Sequence, residues 1–207
     1  LAGTVVPALA ASLTPGTDSG ASAETFLPAA DGGNGLRRVA VAMLPTACSR
    51  HNTPSHAHAV TQLVRSCSGA NKELAIVVVL SDPAHASATA CAVARAFPTY
   101  TLKTNAAAVQ DVAVALVGAN PGDMERVNIA AAGVRRAMAL VDAPTSELHT
   151  STFVSKAIAV CEALNQRPDA PHGGVNITVI EGEQLREAGF GGIYGVGKAA
   201  SHPPALV

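Results

Sequence analysis

The glycine-rich stretch near the end of the chain limits the possible folds more than any other feature. Glycine occupies five of the nine positions from 189 to 197, and the pair Pro203–Pro204 follows. Glycine serves where the backbone needs a positive φ angle or where another segment approaches closely. A residue before proline is biased away from helix. We therefore expect neither an ordinary helix nor a strand over 189–197, an extended exit at the prolines, and the start of a strand at 205–207.

Part of this stretch, residues 192–198, fits the phosphate-binding pattern G-x-x-x-x-G-K. Such a loop needs a buried strand before it, a helix after it, and a Ser or Thr next to the lysine to hold magnesium. Here residues 183–188 have the composition of a helix, and Ala199 follows Lys198. The pattern therefore favours a structural glycine-rich turn over a nucleotide site.

Composition excludes several classes of function. The 207 residues carry a net charge of −1, and only 14% of them are charged. Nucleic-acid-binding domains present a basic face, whereas the adjacent arginines at 37–38 and 135–136 are typical of solvated flanks. No apolar run reaches the roughly 18 residues of a membrane-spanning helix. We expect no nucleic-acid partner and no membrane insertion, while 48% hydrophobic residues allow a sizeable core.

Cysteine and histidine give little sign of a metal site. The four cysteines form no C-x-x-C pair, and they lie at Cys48, Cys67, Cys91 and Cys161. We expect free thiols buried as small apolar groups in a reducing compartment, with a disulfide as the less favoured alternative. His51, His56 and His58 lie close together, and His56-x-His58 offers two metal ligands if it lies on a strand. No carboxylate accompanies them, so we expect a solvated loop.

The middle of the chain alternates between helix and strand patterns. Residues 1–36 predict a flexible, loop-rich segment, since 14–35 are rich in Gly, Ser, Ala, Thr, Pro and Asp. The continuous apolar run at 74–80 is typical of a strand covered on both faces. The other predicted elements are strands at 38–44, 100–103 and 111–117, with helices at 56–65, at 83–97 after a cap at Asp82, and beyond a cap at Asn120. This alternation predicts an α/β domain over 37–141 with a largely parallel sheet.

The composition shifts again at the polar link that begins at residue 142, where we place a domain boundary. Beyond it we expect a helix at 151–165, a strand at 175–180 and a short helix at 182–188. Residues 142–207 therefore read as a linker followed by the first helix and strand elements of a second, truncated α/β domain.

Three motifs follow one another in the last third of the chain. They are D-A-P-T-S-E at 142–147, L-R-E-A-G at 185–189 and F-G-G-I-Y-G-V-G-K-A-A-S-H-P-P at 190–204. In this order they resemble the link, short helix and glycine–proline junction of the leucyl (cytosol) aminopeptidases. The wording of the junction is most similar to the probable-aminopeptidase-like branch of that family. The resemblance is good over 127–207 and weak before it.

The resemblance implies a two-domain protein whose N-terminal domain is a three-layer, macro-domain-like α/β fold with a largely parallel or mixed sheet. It implies a catalytic domain with two divalent metal ions, Zn or Mn, that removes N-terminal amino acids from peptides. In such centres the metals activate a water and polarise the scissile carbonyl. It also implies a homohexamer in the cytoplasm.

The family motifs that hold the metals are not found in this sequence. They have the forms V-G-K-G-x-x-F-D-S-G-G and N-T-D-A-E-G-R. Val196-Gly197-Lys198 matches the beginning of the first, but A-A-S-H-P-P follows it. We therefore assign no catalytic, metal-binding or cofactor-binding residue to this span. We expect it to be inactive without the remaining catalytic domain.

Two alternatives stay open at this point. Residues 104–107, T-N-A-A, resemble the Asn-rich loop of macro domains, which would make the N-terminal domain a module for a nucleotide such as ADP-ribose. However, no glycine-rich phosphate loop lies at the expected place, and the start of an Ala-rich helix explains the pattern more simply. The second alternative is a non-catalytic scaffold subunit derived from the peptidase.

Overall fold

A computed structural model describes residues 2–29, 35–69, 73–104, 110–170 and 172–207. The helices are α1 (Ala2–Ser12), α2 (Ala57–Ser68), α3 (Ala86–Arg95), α4 (Met124–Asp142), α5 (Thr150–Asn165), α6 (Glu183–Glu187) and α7 (Gly191–Gly197). The strands are β1 (Ala21–Pro28), β2 (Leu36–Met43), β3 (Glu73–Val79), β4 (Asp111–Val117), β5 (Ile180–Glu181) and β6 (Ala205–Leu206). One-turn 3₁₀ helices, Pro83–His85 and Pro121–Asp123, precede α3 and α4. None of these helices is both long and apolar enough to cross a bilayer.

The chain divides into two compact units, Leu1–Val141 and Asp142–Val207. We refer to them as the N-terminal unit and the C-terminal unit. The division falls at the composition shift that marks the predicted linker.

The first strands of the N-terminal unit form an antiparallel pair, β1 with β2, in which Ala21 lies opposite Met43 and Pro28 opposite Leu36. Arg38 on β2 forms an ion pair with Glu24 on β1 and donates a hydrogen bond to the carbonyl oxygen of Cys67. The expectation of a loop-rich segment over 1–36 is therefore wrong for α1 and β1. The local composition is poor in strand formers, and pairing with β2 supplies the order that the local sequence does not encode.

The parallel pair β3–β4 carries the main packing of the N-terminal unit. Leu74, Ile76 and Val78 lie opposite Val112, Val114 and Leu116. Two clusters of buried side chains form here, Val60 with Ala92 and Val93, and Ala86 with Ala90 and Val127. Ile76 and Val78 pack against the first cluster, and Leu80 and Leu116 against the second. Small Ala side chains at the contacts of α2 and α3 allow these elements to approach closely.

The opposite face of the β3–β4 pair is uncovered within the described residues. Val77 and Val79 are 65% and 74% exposed, and Val117, opposite Val79, is 51% exposed. The expectation that this strand is covered on both faces is therefore wrong for the described part of the chain. A continuous apolar run reports hydrophobicity on both faces, and it does not report what packs there.

The described strands form three two-stranded sheets, of which β3–β4 is parallel and the other two are antiparallel. The fold is mixed α/β as expected. The three-layer, macro-domain-like arrangement with a largely parallel sheet is not confirmed. The strand expected at 100–103 is irregular in the structure.

In the C-terminal unit, Leu185 of α6 is fully buried and has no exposed surface. Ile180 and Glu181 in β5 pair with Leu206 and Ala205 in β6, so the strand expected at 205–207 is confirmed over two residues. The strand expected at 175–180 is wrong except for its last residue, because no partner strand lies beside the described residues 175–179.

The glycine-rich stretch forms the helix α7, which corrects the expectation that it is neither helix nor strand. One of its glycines, Gly197, allows a close approach. A Cβ atom added to Gly197 would lie 2.5 Å from the Cβ of Pro204, so any side chain here collides with the proline ring. Gly189, between α6 and α7, has a φ of 86°, which other residues rarely adopt.

Candidate functional site

The start of the C-terminal unit is organised by hydrogen bonds at the beginning of α5. The hydroxyl of Thr152 accepts a bond from the backbone N–H of His149 at 3.0 Å and lies 2.8 Å from the carbonyl oxygen of Glu147. The ring of His149 stacks on that of His202, with centroids 3.5 Å apart and planes 7° from parallel. The stack connects the polar link to the segment that precedes the proline pair.

Three side chains, Glu183, Arg186 and Tyr194, form what we call the α6–α7 clasp. Glu183 accepts hydrogen bonds from the hydroxyl of Tyr194 and from Nε of Arg186, the latter at 2.8 Å. The bond from Tyr194, followed by that from Arg186, lowers the pKa of Glu183. The hydrogen bond between Tyr194 and Glu183 also raises the pKa of Tyr194. All three groups are solvated, so the clasp holds two helices together and lacks the shielded setting of an acid–base site.

The G-x-x-x-x-G-K residues do not form a phosphate loop. They belong to α7, where the backbone N–H groups of Tyr194 and Lys198 donate to the carbonyls of Phe190 and Tyr194. As expected from the sequence, the preceding segment is a helix, α6. Backbone donors that are already used within a helix cannot surround a phosphate group.

The residues that the structure describes do not fit a metal centre. No group of three or more His, Cys, Asp or Glu side chains lies close enough together in that part of the chain to hold an ion. A two-metal centre needs several converging carboxylates. All four cysteines are free thiols, as predicted. They are less buried than expected, since Cys48 is exposed and the other three are half-buried.

A cavity of about 440 Å³ lies at the carboxyl ends of β3 and β4. The carboxylate of Asp82 accepts a bond from the N–H of Ala84 at 2.8 Å, which confirms Asp82 as a cap. Asn120 does not cap α4 through its side chain, and instead its amide donates to Asp123, which also pairs with Arg126. Carboxylates thus stand at both helix starts, where a phosphate would otherwise bind.

Nothing in this cavity supports the ADP-ribose alternative. Residues 105–107 of the T-N-A-A motif lie outside the described residues, so the motif adds no argument.

The three clustered histidines occupy different environments. His51 and His58 are exposed and contact Arg50 and Asn52, respectively. The expected solvated loop is found at His51, whereas His58 lies on the solvent side of α2. His56 corrects that expectation, because it is only 8% exposed and immediately precedes α2 with a φ of 46°. Sequence patterns gave no signal for this, since a left-handed histidine depends on the packing around it.

Comparisons with known proteins agree with this picture. The family model described as M17 aminopeptidase N-terminal domain 2 matches residues 2–106. The model described as the catalytic domain of the cytosol aminopeptidase family matches residues 135–207. Both matches keep the order of the two units along the chain.

Individual relatives are also named as aminopeptidases. Probable aminopeptidase NPEPL1 of Homo sapiens is 41% identical over 181 residues, which cover 83% of this chain and 33% of the relative. Leucine aminopeptidase 1 of Caenorhabditis elegans is 34% identical over 168 residues, which cover 79% of this chain and 32% of the relative.

Among solved structures, an M17 aminopeptidase from Trypanosoma brucei aligns with a TM-score of 0.80 at 28% identity, covering 98% of this chain and 39% of that one. The chain thus spans about a third of the length of the curated relatives it matches. The chain belongs to the M17 family of leucyl (cytosol) aminopeptidases, and it comprises an N-terminal domain and the start of the catalytic domain.

Proposed function

We propose that this chain is the N-terminal portion of a dimetal leucyl aminopeptidase that removes N-terminal amino acids from peptides. The observation that carries the proposal is the match of residues 135–207 to the start of the family's catalytic domain, directly after the N-terminal domain match. The glycine–proline junction supports it, because two residues of that motif, Gly197 and Pro204, pack closely against each other.

The role of this span is to position and assemble the catalytic domain. Residues before 142 form the N-terminal domain, including α1 and β1, and residues 142–207 form the linker and the first elements of the catalytic domain. The division of the structure between Val141 and Asp142 supports this assignment. No residue of the span is assigned a catalytic part.

The two divalent ions, Zn or Mn, are held by residues of the catalytic domain outside this chain. This assignment is supported by the absence, among the described residues, of a group of three or more potential metal ligands. Metal ions in such enzymes supply an activated water and a Lewis acid to hydrolysis. The assembly is a homohexamer in the cytoplasm, on the basis of the family resemblance.

Hydrolysis of leucyl-4-nitroanilide by the protein with its complete catalytic domain tests this function. We expect turnover with added Mn²⁺ or Zn²⁺, its loss with a chelator, and its return on adding metal. A complete protein that stays inactive with every divalent metal would instead support the non-catalytic scaffold. Light scattering on the same sample tests the hexamer.

A further inference from the structure

A second cavity, of about 310 Å³, lies at the carboxyl end of β3 in the N-terminal unit. Its walls come from three places: Leu44 and Pro45 after β2, residues 54–56 before α2, and the segment from Val78 into α3. It shares no lining residue with the first cavity. The family's peptidase function gives it no role.

The buried polar side chains point to this cavity. The described residues contain five of them: Ser55, His56, Thr61, Ser68 and Thr89. Ser55, Thr61 and Ser68 each have a hydrogen-bond partner. The side chains of His56 and Thr89 have none among the described residues, and both line this cavity. Their polar atoms are open to the cavity, because the one fully buried side-chain N or O atom without a partner among the described residues is Nδ1 of His149. Both side chains are therefore free to bond a molecule that enters the cavity.

His56 also lies at the first turn of α2, a helix of 12 residues. It is more than nine-tenths buried, at 8% exposed. The first turn of α2 contains no acidic residue, so the positive end of its dipole is not neutralised there. This differs from the first cavity, where Asp82 and Asp123 already stand at the helix starts.

The lining selects the charge of a ligand. Among the described residues around the cavity, His56 and His85 are the only ionisable side chains. An ammonium group would find no carboxylate, and a dianionic phosphate would find no Lys or Arg. A metal ion would find only two imidazoles, and the described chain has no group of three ligands. A monoanion matches one helix start and the N–H donors of the two imidazoles.

The rest of the lining is apolar. Leu44, Val78 and Leu80 face the cavity together with two prolines, Pro45 and Pro54. Sites for small molecules combine such walls with a few polar groups that fix orientation. We propose that this cavity binds a small organic carboxylate with a branched apolar tail, held by His56, His85, Thr89 and the start of α2.

Histidine ring signals in NMR spectra of the full chain report binding directly, without reference to peptidase activity. The probe is 4-methylpentanoate, and 4-methylpentan-1-amine has the same tail with the opposite charge. We expect the carboxylate to shift the signals of His56 and His85 and to leave His58 unmoved.

Two variants remove the proposed contacts. His56→Asn removes the imidazole and keeps a residue that tolerates the left-handed backbone, and Thr89→Val removes the hydroxyl at nearly constant shape. We expect binding to weaken about tenfold in the first and about threefold in the second. The control is His58→Gln, two positions along the chain and outside the cavity, which should bind as the unchanged protein does.

Several results would overturn the proposal. Equal binding of the amine or of inorganic phosphate would remove the charge argument. Zn²⁺ that shifts both histidines while the carboxylate shifts neither would make this a metal site. A loss in His58→Gln as large as in His56→Asn would remove the assignment. If His56→Asn fails to fold by circular dichroism, then unweakened binding in Thr89→Val decides against the site.

Discussion

The two units of the chain are held together in different ways. All the buried apolar side chains of the described residues lie in the N-terminal unit, with the exceptions of Leu185 and Pro204. In the C-terminal unit, α5 has no buried residue, and its Phe153, Val160 and Leu164 are 48%, 41% and 39% exposed. The N-terminal unit therefore has a core of its own, whereas the C-terminal unit buries only two apolar side chains among its described residues.

The C-terminal unit compensates with backbone hydrogen bonds between its short elements. The N–H of Gly182 donates to the carbonyl of Pro204 at 2.9 Å, and that of Phe190 to the carbonyl of Leu185 at 2.7 Å. The α6–α7 clasp adds side-chain bonds on the surface. The contrast indicates that a self-contained domain precedes the first elements of a larger one, in agreement with the family match. Small changes in the C-terminal unit should therefore have large effects.

Replacing Leu185, which has no exposed surface, should have the largest effect. Leu185→Ala should lower the free energy of unfolding of the C-terminal unit by about 3 kcal/mol, through lost burial and the cavity that remains. Hydrogen exchange of amides at 180–207 in the full chain measures this. Val196→Ala, at a side chain that is 91% exposed, is the control and should change little. Equal effects of the two variants would contradict the role of Leu185 in holding the unit together.

Substitutions at two glycines of α7, Gly197 and Gly195, should have the next largest effects on stability, and their signs should be opposite. Gly197→Ala should destabilise the unit by about 2 kcal/mol, because the new methyl group collides with Pro204. Gly195→Ala meets nothing within 4 Å and should stabilise α7 by up to about 1 kcal/mol, the helix preference of alanine. Thermal unfolding of both variants checks the signs. Stabilisation by Gly197→Ala would show that the contact with Pro204 is not tight.

Removing one buried hydroxyl group from the N-terminal unit should lower the free energy of unfolding by less than the substitutions in the C-terminal unit. Thr61 donates from α2 to the carbonyl of Ala92 in α3 at 2.8 Å. Thr61→Val should lower stability by about 1 kcal/mol, because it leaves that buried carbonyl without this partner. Ser66→Ala, whose hydroxyl bonds only within its own exposed turn of α2 and to Cys67, should have a smaller effect. Urea unfolding measures both, and a larger loss in Ser66→Ala would contradict the role of Thr61.

The smallest effect is the pH dependence of the α6–α7 clasp. The pKa of Glu183 is lowered below 4.5, so its contribution is complete above pH 4.5 and is lost as the pH falls through the folded-state value. The pKa of Tyr194 is raised above 10.0, so its contribution is complete below pH 10.0 and is lost as the pH rises through the folded-state value.

Unfolding midpoints of the C-terminal unit against pH check this clasp. We expect a plateau that falls at both ends, and Tyr194→Phe should remove the alkaline fall and weaken the acidic one. Glu162→Gln, at an exposed position on α5, should keep both. An unchanged profile in Tyr194→Phe would show that the clasp does not contribute.

Part of the fold could be predicted from local sequence patterns. The apolar run at 111–117 predicts the bounds of β4, and the Asp82-Pro83 pair predicts the capped start before α3. These features depend on residues that are neighbours in sequence. The strand β1 could not be predicted, because its order comes from pairing with β2.

The functional inferences divide in the same way. The glycine–proline junction identifies the family because its motif is local, while the packing of Gly197 against Pro204 is visible only in the structure. His56 could not be recognised, because its burial and its left-handed backbone arise from the surrounding packing. Motifs of neighbouring residues can thus be recognised in the sequence, whereas contacts between residues that are distant along the chain cannot.

The most direct test of the account is to assay this 207-residue chain alone for hydrolysis of leucyl-4-nitroanilide with added Mn²⁺ or Zn²⁺. We predict no turnover above buffer, while the protein with its complete catalytic domain is active under the same conditions. Turnover by the isolated chain that a chelator abolishes would contradict the account, because it would place the hydrolytic centre within these residues.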